Sequence, residues 1–224
     1  MKENSSITHN FYYLSRFRST LYNALIIHPR TLLVRVDLRF PDDYGAESNK
    51  AIEAFTPAIK SRLVSRYKRD KKKRPGQQVH LSKLNYIWVR EHNRCGKKVH
   101  YHALLMFNKD VFWTIGKLGE AGNLADLIIN AWLSALGLTG KQYRSLVHFP
   151  DHACYHLNRA KLSATDDIKL IWQRLDYMAK HRTKVYSKHN RTLGCSAMAG
   201  NLEEEEEFIA LLNRTFPDDA GQKE

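Results

Sequence analysis

Two histidines one residue apart, His100 and His102, stand in the apolar segment KVHYHALLMF (98–107). A glutamate, Glu91, closes the preceding apolar segment LNYIWVRE (84–91). In a strand, residues i and i+2 point to one face, so the two imidazoles project together while Tyr101 turns away with Ala103, Leu105 and Phe107. The polar, glycine-bearing stretch HNRCGK between the segments reads as a hairpin connection. Such a hairpin lets Glu91 face His100 across the ladder, with all three side chains on one face. One carboxylate and two imidazoles can hold Mg²⁺ or Mn²⁺ with positions left for phosphate oxygens. The same donor set resembles the iron triad of oxygenases. The plain alternative is a pair of surface histidines beside a solvated glutamate.

A second group of reactive side chains lies in DYMAK (176–180). Tyr177 falls off the apolar stripe of its helix, and Lys180 is one turn on, on the same face. Arg174 is one turn back, and His181 and Lys184 follow. Nearby positive charge favours a phenolate and stabilises charge building on a phosphate, so a phenol among cations suits attack on a phosphodiester. The alternative is an amphipathic tyrosine at a helix edge beside a solvated lysine. A rival ligand set, His148, His152, Cys154 and His156 in HFPDHACYH, has zinc-compatible types, but its spacing matches no closed structural site, which leaves scattered histidines as the reading or His152 and His156 as DNA contacts.

The elements that must position these groups follow from periodicity. Residues 1–30 carry aromatic and apolar positions at helical spacing; TLLVRVDLRFP (31–41) reads as a strand ending at Pro41. Residues 48–70 fit a helix that Pro57 should kink or split. After the hairpin come a helix over 120–136 closed by Gly137, a strand over 143–149, an ambiguous segment around DHACYHL, and a helix over 163–182. That last helix has Ser163 or Thr165 as cap, Asp166 and Asp167 at its positive end, and a stripe of Ile168, Ile171, Trp172, Leu175 and Met178–Ala179. Beyond 190 the chain turns polar and small, and EEEEE (203–207) leads into a short acidic tail helix. The order implies an α+β fold with a central antiparallel sheet flanked by helices.

The 224 residues suit one domain with an extension, and 43% hydrophobic content excludes a mainly disordered chain. No apolar run approaches the roughly 20 residues of a membrane span, and the N-terminus lacks the apolar core of a secretory signal. Three distant cysteines, Cys95, Cys154 and Cys195, argue for a reducing compartment. A net charge of +13 favours an anionic partner, nucleic acid first. The densest basic run is Arg62, Arg66, Arg69, Lys71, Lys72, Lys73 and Arg74, read as a phosphate-contacting arm or as a solvated face. Tyr86, Trp88 and Trp113 could stack on bases, although core packing suits most of them better.

Taken in order, the Glu91 and His100–His102 strands followed by the Tyr177–Lys180 helix resemble the motifs of the HUH endonuclease superfamily. More narrowly, the chain is similar to single-tyrosine rolling-circle replication initiators (Rep proteins), of the kind encoded by filamentous phages (inoviruses) and by integrated or satellite elements of Gram-negative bacteria. LLVRVDLRFP lies where their first motif falls, and the resemblance covers about 31–185. It implies the HUH/Rep nuclease fold with its RRM-like core, and a division into an N-terminal helical extension (1–30), a nickase domain (31–190), and a polar linker with an acidic helix (191–224). It further implies metal binding by Glu91, His100 and His102, attack by Tyr177 on single-stranded or hairpin DNA at a replication origin, a 5′-phosphotyrosine intermediate, and phosphate positioning by Lys180. Arg174 and Lys184 would join the basic run as DNA contacts. The expected setting is the bacterial cytoplasm, with no membrane partner. No GxxxxGK[ST] occurs, so a host helicase and polymerase would supply unwinding and synthesis. Tyr186 does not share the face of Tyr177. Alternatives are a non-catalytic DNA-binding regulator on the same fold, or a relaxase or transposase of the same superfamily.

Overall fold

The computed structural model describes residues 10–45, 48–93, 98–164, 166–180, 184, 190–196, 206, 208 and 210. Its elements are α1 (Phe11–Ile27), β1 (Arg30–Arg39), α2 (Lys50–Lys73), β2 (Asn85–His92), β3 (Val99–Asn108), α3 (Leu124–Leu136), β4 (Val147–His148), β5 (Cys154–Asn158), α4 (Asp166–Ala179) and β6 (Leu193–Cys195). The strands pair antiparallel in the order β4-β1-β3-β2-β6, and β5 shares with β4 the outer edge of β1. The fold is α+β, an antiparallel sheet flanked by helices.

Both faces of the sheet are covered, which is why β1 and β3 read as near-continuous apolar runs rather than as alternating ones. One face carries Leu32, Val34, Val36, Leu38, Trp88, Tyr101, Ala103, Leu105 and Phe107 and packs under α2 and α3. The other carries Leu33, Ile87, Val89, Leu104, Met106, Tyr155 and Leu157 and packs under α1 and α4. Asn10 caps α1 by accepting from the Tyr13 N–H, and Asn123 caps α3 from the Asp126 N–H. Gly137 ends α3 at φ 69°, a left-handed conformation that a side chain would resist.

Several elements differ from the sequence expectation. α2 is one continuous helix with Pro57 inside it; Ile52, Phe55, Ile59 and Leu63 bury one stripe on both sides of the proline and hold the turns in line. Residues 143–149 are not one strand. Lys141–Leu146 forms a 3-10 turn whose Arg144 pairs with Asp126 on α3 at 2.9 Å, leaving only Val147–His148 to join β1. The ambiguous DHACYHL segment supplies β5, an edge strand that alternates Tyr155 and Leu157 inward. Within the expected linker after 190, Leu193–Cys195 pairs with β2 as β6. Within the expected extension 1–30, α1 buries Phe17, Leu21 and Leu25 against the sheet. Among the caps expected for α4, Thr165 and the side chains of Ser163 and Asp166 lie outside the described residues; Asp167 instead accepts from the His156 N–H, tying α4 to β5. Of the EEEEE run only Glu206 is described, and beyond it Phe208 packs on Tyr22. Cys95, Tyr186 and the His181 position also fall outside the described residues, whereas Cys154 and Cys195 are free thiols. Among the described residues no helix is long and apolar enough to cross a membrane.

Candidate metal centre and catalytic helix

The β2–β3 register sets Glu91 directly opposite His100. By strand alternation Glu91 continues the row Ile87–Val89, and His100 and His102 continue the row Leu104–Met106, so all three emerge on the α1/α4 face. Their ligand atoms lie within 4.8 Å of one another, the one such cluster among the described residues. His100 Nε2 is 3.1 Å from His102 Nε2, which is 3.5 Å from Glu91 Oε2.

A shell of further charge fixes these groups. On β1, Asp37 stands opposite His102 in register, and its Oδ1 lies 2.6 Å from His102 Nδ1. The Nδ1–H thus has a carboxylate acceptor and Nε2 is aimed at the cluster, an arrangement common behind metal-binding histidines. His148 on β4 approaches the other Asp37 oxygen at 3.4 Å, and Arg35 lies 3.8 Å from Oδ1. Lys184 forms a backbone bridge with Glu91 and donates its ammonium to Glu91 Oε1.

Electrostatics follow from this packing. Burial alone would raise the Glu91 carboxyl, but the His102 hydrogen bond and the Lys184 charge bring it down to about 2. Burial likewise opposes ionisation of Asp37, and the His102 hydrogen bond and charge, with Arg35, override it and hold it at about 2. Burial would lower His102, yet Asp37 and Glu91 together raise it. His100 falls to about 4 through burial and the neighbouring His102 charge. The acidic neighbours thus favour a protonated His102, and burial favours a neutral His100 beside it. A divalent ion would take that proton's place, with both Nε2 atoms and Glu91 Oε2 as donors. Two nitrogens and one oxygen, with Asp37 orienting His102 from behind, fit Mn²⁺ or Mg²⁺ with positions left open.

Tyr177 lies on α4, 46% exposed, while Ile168, Ile171, Leu175, Met178 and Ala179 of the same helix are buried. The Lys180 ammonium sits 4.5 Å from the centre of its ring. Among the described residues the phenol hydroxyl has no hydrogen-bond partner. α4 covers the face from which the cluster emerges. Its body is tied to β5, with Arg174 Nε on the Tyr155 hydroxyl at 3.2 Å, and the chain leaving its end reaches Glu91 through Lys184.

The other expected contacts are placed differently. Lys184 is not a surface phosphate contact, because its side chain is fully buried on Glu91. Arg174 is partly buried against β5. The basic run lies on α2, which covers the opposite face of the sheet. Arg62 binds the Ala58 and Asn130 carbonyls, Arg66 binds the Gly122 carbonyl and Asp70, and Arg69 neighbours Asp70. Lys71, Lys72, Lys73 and Arg74 are exposed, with no side-chain partner among the described residues. Trp88 is a core residue packed edge-on to Tyr101, Tyr86 is half-buried beneath Lys60, and Trp113 is exposed and stacked on His156 at 4.7 Å. The rival ligand set does not converge: His148 turns to Asp37, His152 sits in an exposed turn, and Cys154 and His156 lie on β5. Sequence reasoning missed Asp37 and the pairing of Lys184. An acidic residue interrupting an otherwise apolar strand was the available signal for Asp37.

Comparison with known proteins bears on the whole chain. It is 31% identical over 195 residues to the uncharacterized protein YagK of Escherichia coli (strain K12), covering 84% of this chain and 93% of that one. It is 32% identical over 199 residues to the uncharacterized protein YfjJ of the same strain, covering 84% and 95%. No solved structure matches. The family model described as the YagK/YfjJ C-terminal domain matches residues 1–196, a span holding every strand of the sheet and all the residues of the cluster, and the chain belongs to that family.

Proposed function

We propose that the protein nicks and rejoins single-stranded DNA through a tyrosine, with a divalent metal held by Glu91, His100 and His102. The observation that carries this reading is the convergence of those three donors, with Asp37 behind His102, on the face that α4 covers with Tyr177 at its exposed edge.

Tyr177 Oη attacks the scissile phosphorus; the O–P bond forms as the bond to the 3′ oxygen breaks, and the phenolic proton passes through solvent to the departing 3′ oxygen. The products are a 5′-phosphotyrosine and a free 3′-OH. Rejoining is the reverse, with a 3′-OH attacking the phosphotyrosine, so no nucleotide cofactor is consumed. Lys180, already over the Tyr177 ring, is placed to meet the charge that builds on the phosphate. Bound Mg²⁺ or Mn²⁺ would polarise a non-bridging phosphate oxygen. In the cell this chemistry would start rolling-circle-type replication of a phage, plasmid or satellite element in a bacterial cytoplasm, with the host's helicase and polymerase.

The test is incubation with Mn²⁺ and single-stranded or hairpin origin DNA, followed by denaturing electrophoresis. A covalent protein–DNA adduct that disappears in Tyr177→Phe and in His100→Ala supports the proposal. DNA binding without an adduct, unchanged in His100→Ala, would instead favour a non-catalytic regulator.

A further inference from the structure

Among the described residues seven large hydrophobic side chains are exposed, and three of them gather at one corner of the α1/α4 layer. Phe11 and Tyr12 open α1, 64% and 65% exposed, and Tyr177 stands near the end of α4. The Asn10 N–H donates to the Ala179 carbonyl at 3.0 Å, which fixes the start of α1 on the end of α4. One Cα step of about 3.8 Å separates Phe11 from Asn10, and two separate Tyr177 from Ala179, so the three rings rise from neighbouring turns. A second tie, the Arg18 guanidinium 4.8 Å from the centre of the Trp172 ring, keeps the two helices side by side.

The first turn of α1 is held in place while its two leading rings face water. Asn10 caps that turn by accepting from the Tyr13 N–H. Tyr13 and Leu14 are buried, Tyr13 against Phe17 at 6.2 Å, which turns Phe11 and Tyr12 outward. Tyr13 meets the Tyr12 ring at 63° instead of lying flat on it, so it leaves a face of Tyr12 uncovered. Contiguous aromatic surface left in water marks a place for a partner. The Lys180 ammonium, 4.5 Å from the centre of the Tyr177 ring, adds positive charge to the same corner. Flat apolar rings beside a cation match single-stranded nucleic acid, which offers free base faces and phosphates together. In a duplex the base faces are already stacked on one another.

Resting on the reading of Tyr177 as the attacking group, we propose that Phe11 and Tyr12 are a base-stacking platform that positions single-stranded DNA for Tyr177. Bases next to the scissile phosphate lie against the two rings, and Lys180 meets phosphate charge. Every base has a flat face, so the platform sets where the strand is held and not its sequence. Loss of one stacked base weakens binding about fivefold or more.

The experiment measures binding of a fluorescein-labelled single-stranded oligonucleotide by anisotropy, in EDTA so that no cleavage enters. The chain carrying both Phe11→Ala and Tyr12→Ala should bind about fivefold or more weakly than wild type, with unchanged affinity for duplex DNA and an unchanged melting temperature. Phe11→Tyr with Tyr12→Phe, which keeps both rings, should stay near wild type. Phe11→Leu with Tyr12→Leu, which keeps apolar surface without the rings, should behave as the alanine pair does, and replaces it should that pair fail to fold. With Mn²⁺ present, the alanine pair should need more DNA for half-maximal adduct yet reach the wild-type yield at saturation. Unchanged single-strand affinity in a folded alanine or leucine pair overturns the inference, as does an equal loss on duplex DNA. It is also overturned if wild type self-associates through these residues and DNA affinity survives their removal. Absence of any adduct in wild type, together with weakened single-strand binding in the alanine pair, refutes the nicking chemistry and supports the strand-binding platform.

Discussion

Replacing Asp37 by asparagine tests whether the cluster is built to hold a metal. Asp37 is not one of the three converging donors. It lies opposite His102 in the β1–β3 register, 8% exposed, with Oδ1 2.6 Å from Nδ1. Asparagine keeps the shape but removes the charge, and its amide nitrogen can present a donor where Nδ1–H needs an acceptor. Loss of such an outer partner costs about 10- to 100-fold in metal affinity, or about 1.4–2.8 kcal/mol. A second effect runs the other way: Asp37 raises the His102 pKa, so its removal also weakens the proton that competes with the metal. The measurement therefore belongs near pH 8, where that competition is least. Mn²⁺ titration calorimetry of Asp37→Asn should show the loss with an unchanged circular dichroism spectrum. Comparable Mn²⁺ binding by Asp37→Asn and wild type, in a protein where His102→Ala abolishes it, would refute the orienting role.

Mn²⁺ binding to the wild-type protein should weaken about tenfold per pH unit at and below pH 6.5, because the raised His102 pKa makes the metal displace a proton there. The metal-free protein should lose stability as pH falls from 6.5 towards 4, since the folded state resists protonating His100, whose folded pKa is depressed to about 4. A further loss follows from about 4 towards 2, as Asp37 and Glu91, both held near 2, are protonated; His102 acts oppositely, its contribution being complete below 6.5 and lost as pH rises through its raised folded value. A urea midpoint measured against pH reads these terms together. Gly194→Ala should destabilise by about 1–3 kcal/mol in thermal melts, because a Cβ there collides with the rigid indole of Trp88. Charge reversal of Lys71, Lys72 and Lys73 should lower DNA affinity and flatten its salt dependence while leaving Mn²⁺ affinity unchanged.

The hairpin and the convergence of its three donor side chains were legible because both are local. Alternation along β2 and β3 sets the faces, a short polar connection sets the pairing, and together they put Glu91 opposite His100. The buried stripe of α4 and the exposure of Tyr177 follow from a 3.6-residue period in the same way. What escaped depends on contacts between distant segments. β6 is three residues around a glycine, with no alternation to read, and exists because Gly194 fits flat on Trp88. Asp37 became part of the site only through the β1–β3 register, and Lys184 only through a bridge to a strand more than ninety residues earlier. The basic run was legible as charge but not as location. Its stripe of Ile52, Phe55, Ile59 and Leu63 fits either face of a sheet covered on both sides.

That location bears on how binding and chemistry divide. Near the start of α2, Asn49 accepts a hydrogen bond at 2.9 Å from Tyr101, the residue between the two cluster histidines. From there α2 runs away along the other face, and at about 1.5 Å per residue Lys71 lies about 33 Å from Asn49 along the axis. Screening at physiological salt acts over about 8 Å, so the charges at Lys71–Arg74 cannot tune groups at the cluster through space. Charge at the cluster is largely paired off locally, Asp37 with His102 and Arg35, and Glu91 with Lys184. Any long-range attraction for a polyanion must come from elsewhere on the surface, and the exposed end of α2 is its densest source. Under the proposed function, a phosphate would be selected locally, by the metal donors and the Tyr177–Lys180 pair, while affinity for the rest of the strand would be set by surface charge that can be altered independently.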